Sequence, residues 1–477
     1  MEQISFIGRE QEQLTLKKAL HSNEAEMVAV IGRRRVGKTF LIKNTFSEVI
    51  AFQMSGIQNA TLERQLENFA YRLSLLKEQE EKLPTPKNWF TAFTQLIDFL
   101  RVQKNDKKYV VFFDELPWLA GRKSDFIQGL SFFWNSWAVD QPIVVVICGS
   151  AASWMVQKVV NDTGGLHNRI TRLIKLQPFT LAETEAYFES RNIPLNRYHI
   201  IQIYMVLGGI PHYLKEVEAG KSATQNINDI CFSDGGLLQN EFANLYPALF
   251  NNADNHISII RALATKTKGM LRSEISRVSG VKNGGTLTKT LDELELSGFI
   301  TSYYAWGKKS KGKLFRLTDE YSQFYLYFIE KNRMEGDDTW QYISQTQTYK
   351  SWSGYAFESI CIKHLPQIKR ALQIGGINAL SSTFYKKGTS TDKGVQIDLI
   401  LDRKDQVINL FEIKFYNKEF VLSKAYAEML RRKMNVFQSE TKTNKLLLWI
   451  IIAPFGMKQN QHSLDLVYNV LDLDALF

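Results

Sequence analysis

The chain has 477 residues, too many for one ordinary core and enough for two to four domains. Hydrophobic residues make up 44% and charged residues 23%, a balance that excludes a disordered or fibrous chain. The formal charge of +10 fits a nucleic-acid partner as well as it fits an ordinary basic surface. Cys148, Cys231 and Cys361 are widely separated, with neither disulfide-framework nor metal-ligand spacing, so a reducing, cytoplasmic compartment is expected. No apolar run reaches the ~18 residues of a membrane helix, and the opening segment has no apolar signal core, so no membrane role is expected.

Residues 1–245 alternate helical patterns with short apolar runs at 27–32, 49–54, 109–113 and 143–149. Strands separated by long helical stretches predict a mostly parallel sheet with helices on both faces. The first run leads into Gly32-Arg33-Arg34-Arg35-Val36-Gly37-Lys38-Thr39, followed by Phe40 and an apolar helical start. This is the pattern G-x-x-x-x-G-K-[ST] between a strand and a helix. Its glycines let backbone N–H groups wrap a phosphate, and the helix presents its positive end to the same anion. Lys38 can reach the outer phosphates of ATP, and Thr39 can put a hydroxyl on Mg²⁺. Arg33, Arg34 and Arg35 either contact phosphate or lie on the surface.

The third run ends in Asp114-Glu115. A carboxylate at the carboxyl end of a buried parallel strand emerges where open α/β sheets bind ligands. Asp114 is expected to hold Mg²⁺ and Glu115 to orient the attacking water. Ser150, just after the fourth run, either senses the terminal phosphate or caps a helix. Arg169 and Arg172 follow a Gly-Gly turn; either can neutralise charge on the transferred phosphoryl group, from this chain or from a neighbouring subunit.

Residues 253–330 read as helices at 256–265, 271–279 and 286–297, then two strands joined by a tip, 306–313, that carries four lysines. Three helices and a hairpin form the winged-helix order. The wing lysines suit phosphate contacts, while Asp292, Glu293 and Glu295 on the last helix repel a duplex. DNA binding and a protein-interaction role therefore both stay open. Residues 331–338 form the expected linker.

In the last block, 345–477, a helix at 355–365 precedes strands at 397–401 and 407–415, a basic helix at 423–437 and a strand at 445–452. Counting back from the turn at 402–406 puts Asp398 nearly opposite Glu412. Lys414, two residues on, shares the face of Glu412. Two carboxylates and an ammonium suit metal-assisted phosphodiester hydrolysis. Asp398 and Glu412 would bind Mg²⁺, Glu358 would complete the shell, and Lys414 would orient water or stabilise developing charge. A salt-bridged pair on a solvated strand edge is the alternative.

With these residues assembled, the chain resembles the predicted archaeal and bacterial ATPases of the AAA+/STAND group that carry a C-terminal DUF234-type domain. The matching pieces are Phe6-Ile7-Gly8-Arg9-Glu10, the GRRRVGKT loop, FFDELPWL, ICGSAASWM and Gly208-Gly209-Ile210-Pro211. The resemblance implies that Phe6, Ile7 and Arg9 pack near the adenine and that Pro211 lies in a helical lid over the nucleotide. The last block is similar to the PD-(D/E)xK nuclease superfamily, with Ile397 where that motif has Pro. The expected fold is α/β: a P-loop parallel-sheet ATPase domain with helical lid (1–245), a winged helix (253–330) and a restriction-endonuclease-like α/β domain (345–477). The expected partners are ATP, Mg²⁺ and nucleic acid, with DNA preferred, and a homo-oligomer or protein partner open. The rival is a regulatory ATPase whose last domain is catalytically silent.

Overall fold

The computed structural model describes residues 6–477 except 78–82, 103–106, 122, 161–165, 167, 251, 309–311, 333–337 and 389–393. Among these residues no helix is long and apolar enough to cross a membrane. The chain forms two compact units. One runs to Pro178 and takes in Leu249–Asn251; the other holds Phe179–Ala248 and Asn252–Phe477.

The first unit runs α1 (Glu10–His21), β1 (Glu26–Ile31), α2 (Lys38–Thr45), β2 (Ile50–Ser55), α3 (Leu62–Leu76), α4 (Trp89–Val102), β3 (Tyr109–Asp114), α5 (Phe126–Ser136), β4 (Ile143–Gly149) and β5 (Arg172–Lys175). The strands pair in parallel in the order β2-β3-β4-β1-β5. β1, β3 and β4 are buried along their whole length, which is why each reads as an unbroken apolar run. Aromatic side chains from α3, α4 and α5 fill one face of the sheet; the Trp89 ring meets Phe126 edge-on at 4.6 Å. β4 lies between β1 and β3, so its end separates the phosphate loop from Asp114.

β5 is absent from the sequence reading, because a four-residue edge strand that is only partly buried carries no apolar run. It also corrects the reading of Arg172. That residue lies in β5 beside Val28, and its guanidinium pairs at 2.7 Å with Glu26 at the start of β1. The phosphate loop leaves the other end of β1. Arg172 therefore ties two strands together and does not face the phosphate site.

The second unit begins with α6 (Leu181–Ser190), α7 (Arg197–Leu207) and α8 (Ala223–Cys231). His364 caps α6: its Nε2 accepts the Leu181 N–H at 3.1 Å, while its Nδ1 donates to the Ile360 carbonyl at 2.9 Å. Gly208 ends α7, and Gly209 passes so close to Phe179 that an added Cβ would lie 1.9 Å from its carbonyl oxygen. Pro211 opens the short helix Pro211–Leu214.

The winged-helix order is complete: α9 (Asp254–Ala264), β6 (Met270–Leu271), α10 (Arg272–Ser279), α11 (Gly285–Leu296), β7 (Ile300–Tyr304) and β8 (Lys313–Leu317). The strands form an antiparallel sheet in the order β6-β8-β7. The two-residue β6 is too short to leave a periodic signal. Most of the expected linker at 331–338 lies outside the described residues.

The last block holds α12 (Gln347–Lys363), β9 (Ala379–Lys386), β10 (Val395–Arg403), β11 (Val407–Ile413), α13 (Lys424–Thr441), β12 (Leu446–Ile452) and β13 (Val467–Leu471). The sheet order is β13-β12-β11-β10-β9, antiparallel from β9 to β11 and parallel from β11 to β13. α13 makes the crossover that parallel β11 and β12 require. The edge strands β9 and β13 are missing from the sequence reading, because exposed positions interrupt their apolar pattern.

Candidate functional site

The loop between β1 and α2 is shaped by close approach and by one left-handed turn. An added Cβ on Gly32 would lie 2.4 Å from the Leu176 carbonyl oxygen, and Gly37 has φ +93°, so both positions need glycine. Lys38, only 5% exposed, opens α2. Its Nζ donates to the carbonyls of Gly32 and Arg33 at 2.9 Å each and to Ser150 Oγ at 3.2 Å. Burial pushes the Lys38 ammonium below its ordinary value, while Glu115 and Asp114 pull it back. Arg33 is buried; Arg34 and Arg35 are partly exposed, with Arg35 in the left-handed region at φ +71°.

The opening segment leans on this loop. Arg9 is buried and donates from Nη2 to the Val36 carbonyl at 3.3 Å. The Phe6 ring stacks on Phe40 with centroids 5.6 Å apart and planes 6° off parallel. Ile7 between them is half-buried.

Asp114 closes the other side. Thr39 Oγ1 donates to its Oδ2 at 2.8 Å and Ser55 Oγ at 3.4 Å; the Cys148 thiol donates to Oδ1 at 2.6 Å and the Glu115 N–H at 2.9 Å. Burial, reinforced by the Asp114 charge, pushes the Cys148 thiol well above its usual value and keeps it a donor. Glu115 sits in the left-handed region at φ +48°, which costs a non-glycine residue about 1 kcal/mol. Its carboxylate turns to Ser150, whose N–H donates at 3.1 Å and whose hydroxyl donates to the other oxygen. Ser150 thus touches both the lysine and the glutamate.

Cys148 and Ser55 escaped the sequence reading. The signal for Cys148 was its position two residues before Ser150, which puts both on one side of β4's end. The signal for Ser55 was its register opposite Asp114.

Two hydroxyls and a carboxylate suit a hard divalent cation, and an ion shared with nucleotide phosphates needs only one or two protein carboxylates. Among the described residues no three His, Cys, Asp or Glu side chains cluster closely enough to hold a metal, which corrects the expected shell of Asp398, Glu412 and Glu358 in the second unit. Arg169 requires a correction. It is exposed in the turn before β5, and because β5 runs parallel to β1 that turn lies at the end of the sheet away from the loop. Arg169 does not reach its own chain's phosphate site.

In the second unit β10 and β11 pair up to Leu399–Phe411, and the next step of that register faces Asp398 with Glu412. The pairing of β10 with β9 shifts between Ile397 and Ile400, a bulge that spans Asp398. Gln396 donates its amide to Asp398. Glu412 is buried and saturated: Lys414 at 2.9 Å, Lys433 at 2.8 Å and the Tyr426 hydroxyl at 2.5 Å all reach it. Burial opposes its ionisation, yet the two lysines hold its carboxyl below the usual value. Glu358 on α12 is pushed up to about 8, first by burial and then by the charge of Asp398. Tyr426 and Lys433 also escaped the sequence reading. Seven residues apart on α13, they share a helix face, but nothing in the sequence says which strand that face covers.

The winged helix spends most of the acidity that the sequence placed on α11. Glu293 pairs with His256 at 2.8 Å, and Glu295 pairs with Lys313 at 3.2 Å and accepts the Ser302 N–H at 3.1 Å. Asp292 stays exposed in a cleft lined by Arg272, Asn283, Lys313 and Phe315. Three residues of the expected wing tip, 309–311, lie outside the described residues, and Trp306 turns inward onto Phe437 with ring centroids 5.0 Å apart.

A model of a family described as an ATPase domain predominantly from Archaea matches residues 6–217. The chain is 23% identical over 434 residues to an uncharacterized protein of Methanocaldococcus jannaschii, covering 90% of this chain and 91% of that one. Among solved structures, a Walker-type ATPase of Pyrococcus abyssi matches at TM-score 0.49 and 18% identity, over 67% of this chain and 96% of its own. The ORC2 protein of Aeropyrum pernix matches at TM-score 0.40 and 17% identity, over 72% of this chain and 97% of its own. Residues 6–217 are similar to the archaeal ATPase family and carry an ATPase domain.

Proposed function

We propose that the first unit hydrolyses ATP with Mg²⁺ and that this turnover serves a nucleic-acid reaction, on DNA by preference, in the second unit. One observation carries the reading. Lys38, the Thr39–Asp114 pair and the Glu115–Ser150 pair converge at one end of a parallel sheet, around a loop whose two glycines cannot be replaced without clash or strain.

Each residue then has a task. Lys38, released from the Gly32 and Arg33 carbonyls, holds the outer phosphates of the substrate. Thr39 and Asp114 hold Mg²⁺, which supplies charge neutralisation on the phosphate oxygens. Glu115, released from Ser150, orients the attacking water, and Ser150 steadies both partners. Phe6, Ile7 and Arg9 support the base, with Pro211 assigned to the lid. Arg169 is left to act from a neighbouring subunit. In the second unit Asp398 and Glu412 would hold a metal shared with the substrate phosphate, and Lys414 would stabilise the charge that develops on a phosphodiester.

A regulatory ATPase with a silent last domain is the second reading, and the saturation of Glu412 by Lys414, Lys433 and Tyr426 favours it. Cleavage of plasmid and single-stranded DNA with Mg²⁺ or Mn²⁺, with and without ATP, separates the two. Metal-dependent cutting that disappears in Lys414→Ala supports the nuclease. ATP hydrolysis lost in Lys38→Ala, with no cutting under any condition, leaves the regulatory ATPase.

A further inference from the structure

The carboxylate site of the second unit is bordered by the winged helix as well as by its own sheet. Two strands of contact cross between them. Lys268, in the loop before β6, donates to the Gln396 side chain, whose amide in turn donates to Asp398. The hydroxyl of Tyr303 on β7 fixes that loop by donating to the Lys268 carbonyl at 2.5 Å. Separately, Arg316 on β8 reaches α12: its Nη2 donates to Ser359 Oγ at 2.7 Å and to the Tyr355 carbonyl at 3.3 Å. Ser359 is the residue after Glu358. The wing hairpin is seated by backbone too, since the Trp306 N–H donates to the Thr383 carbonyl at 2.8 Å and Ala305 bridges Thr383 on β9.

Arg316 is 8% exposed, and its Nε–H is buried without a hydrogen-bond acceptor. A buried guanidinium left partly unsatisfied costs free energy that an incoming acceptor recovers. Both of its protein acceptors, a hydroxyl and a carbonyl, are neutral. Lys414 and Lys433, two further cations of the site, are both paired with Glu412. Arg316 is thus a cation that acts on the charge of Glu358 and, among the described residues, hydrogen-bonds to none of Glu358, Asp398 and Glu412; its Nη2 is taken by Ser359 and Tyr355, and its Nε–H is left for an oxygen of a phosphate.

We infer that Arg316 is a substrate-binding residue of the carboxylate site, holding one phosphate of a phosphodiester chain, so that the site is a joint product of the winged helix and the C-terminal sheet. The inference rests on the nucleic-acid reading of that site. It assigns the hairpin a role in the chemistry of the neighbouring sheet, beyond contact with duplex through the wing. Lys268 acts as a positioning residue for Asp398 by way of Gln396.

The test uses the full chain and a thymidine dinucleotide, a phosphodiester too short to span the wing tip and the carboxylates together. Its binding is measured by titration calorimetry with Ca²⁺, and Mn²⁺ binding is followed in parallel. Arg316→Gln is expected to weaken dinucleotide binding at least tenfold while Mn²⁺ binds as well as in the wild type or better. Arg316→Lys, which keeps the charge and loses the Nε donor, is expected to weaken it at least threefold at unchanged melting temperature. If Arg316→Gln fails to fold, Arg316→Lys decides alone. Wild-type affinity in whichever folded variant is measured overturns the inference, and so does wild-type protein that binds no dinucleotide. A wild type that binds the dinucleotide through Arg316 yet cuts no DNA refutes the nuclease reading and leaves Arg316 a phosphate ligand.

Discussion

The two lysine–carboxylate sites of this chain follow opposite charge plans. Around Asp114 the donors are a threonine and a serine hydroxyl, a thiol and a backbone N–H, all neutral, so the carboxylate keeps its charge for an incoming cation. Around Glu412 the donors are two ammonium groups and a phenol, so the charge is already compensated within the protein. The lysines differ in the same sense. Lys38 rests on backbone carbonyls and a hydroxyl and can exchange them for phosphate, whereas Lys414 and Lys433 are committed to a carboxylate. A site with uncompensated charge is poised for a ligand; a site that balances itself asks the ligand to displace something first.

The sharpest way to break the comparison is Lys38→Ala. Removing the cation assigned to the outer phosphates should lower ATP turnover by about 10³-fold, read as phosphate release. Turnover within tenfold of wild type would mean that Lys38 is a structural lysine, and the contrast with Lys414 would collapse.

A second probe acts on pH. His364 in the second unit is buried and its pKa is lowered to about 4 from 6.5, by burial first. Between those values the unfolded chain takes up a proton that the folded unit refuses, so the His364 contribution is fully present above pH 6.5 and is lost as pH falls to 4. The loss is about 3 kcal/mol, from about 1.4 kcal/mol per unit. It should appear as a shrinking difference in denaturant midpoint between wild type and His364→Gln as pH drops through that window. A difference that stays constant with pH would remove His364 as its source.

Glu115→Gln comes next. Because the Glu115 carboxylate is held by Ser150 and not by the loop backbone, nucleotide binding should be kept while turnover falls by about 10²-fold. A parallel loss of binding would show that the Glu115–Ser150 contact is part of the loop's own support.

How much of this was readable beforehand follows from burial. GRRRVGKT and VVFFDE were legible because the first follows, and the second ends, a strand buried end to end, where an apolar run cannot be mistaken for a solvated helix face. β5, β6, β9 and β13 were not, since edge or two-residue strands carry no such run. The register of β10 against β11 up to Leu399–Phe411 was legible because a short turn fixes the count of residues between two strands. The partners that set each charge plan were not: Cys148 on Asp114 depends on the sheet order, Lys433 on Glu412 on how α13 covers the sheet, and Arg316 on the docking of a hairpin. Spacing puts Cys148 on the side of Ser150, but it carries none of these three pairings.

Lys433→Met turns the comparison into a measurement on the second site alone. With Asp114→Ala in the background to remove the first cation site, Mn²⁺ can be followed by electron paramagnetic resonance. Lys433 stands 2.8 Å from Glu412 and is mostly buried, so replacing it with an uncharged side chain of similar length removes one of two compensating cations and keeps the packing. If compensation is what separates the sites, Glu412 becomes a better metal ligand and Mn²⁺ should bind about tenfold more tightly, the effect of about 1.4 kcal/mol of recovered charge. Lys414 stays in place to keep Glu412 ionised, which distinguishes this change from simple loss of the carboxylate. An unchanged Mn²⁺ affinity would mean that the lysines do not compete with metal at all, and the difference between the sites would then lie in their geometry.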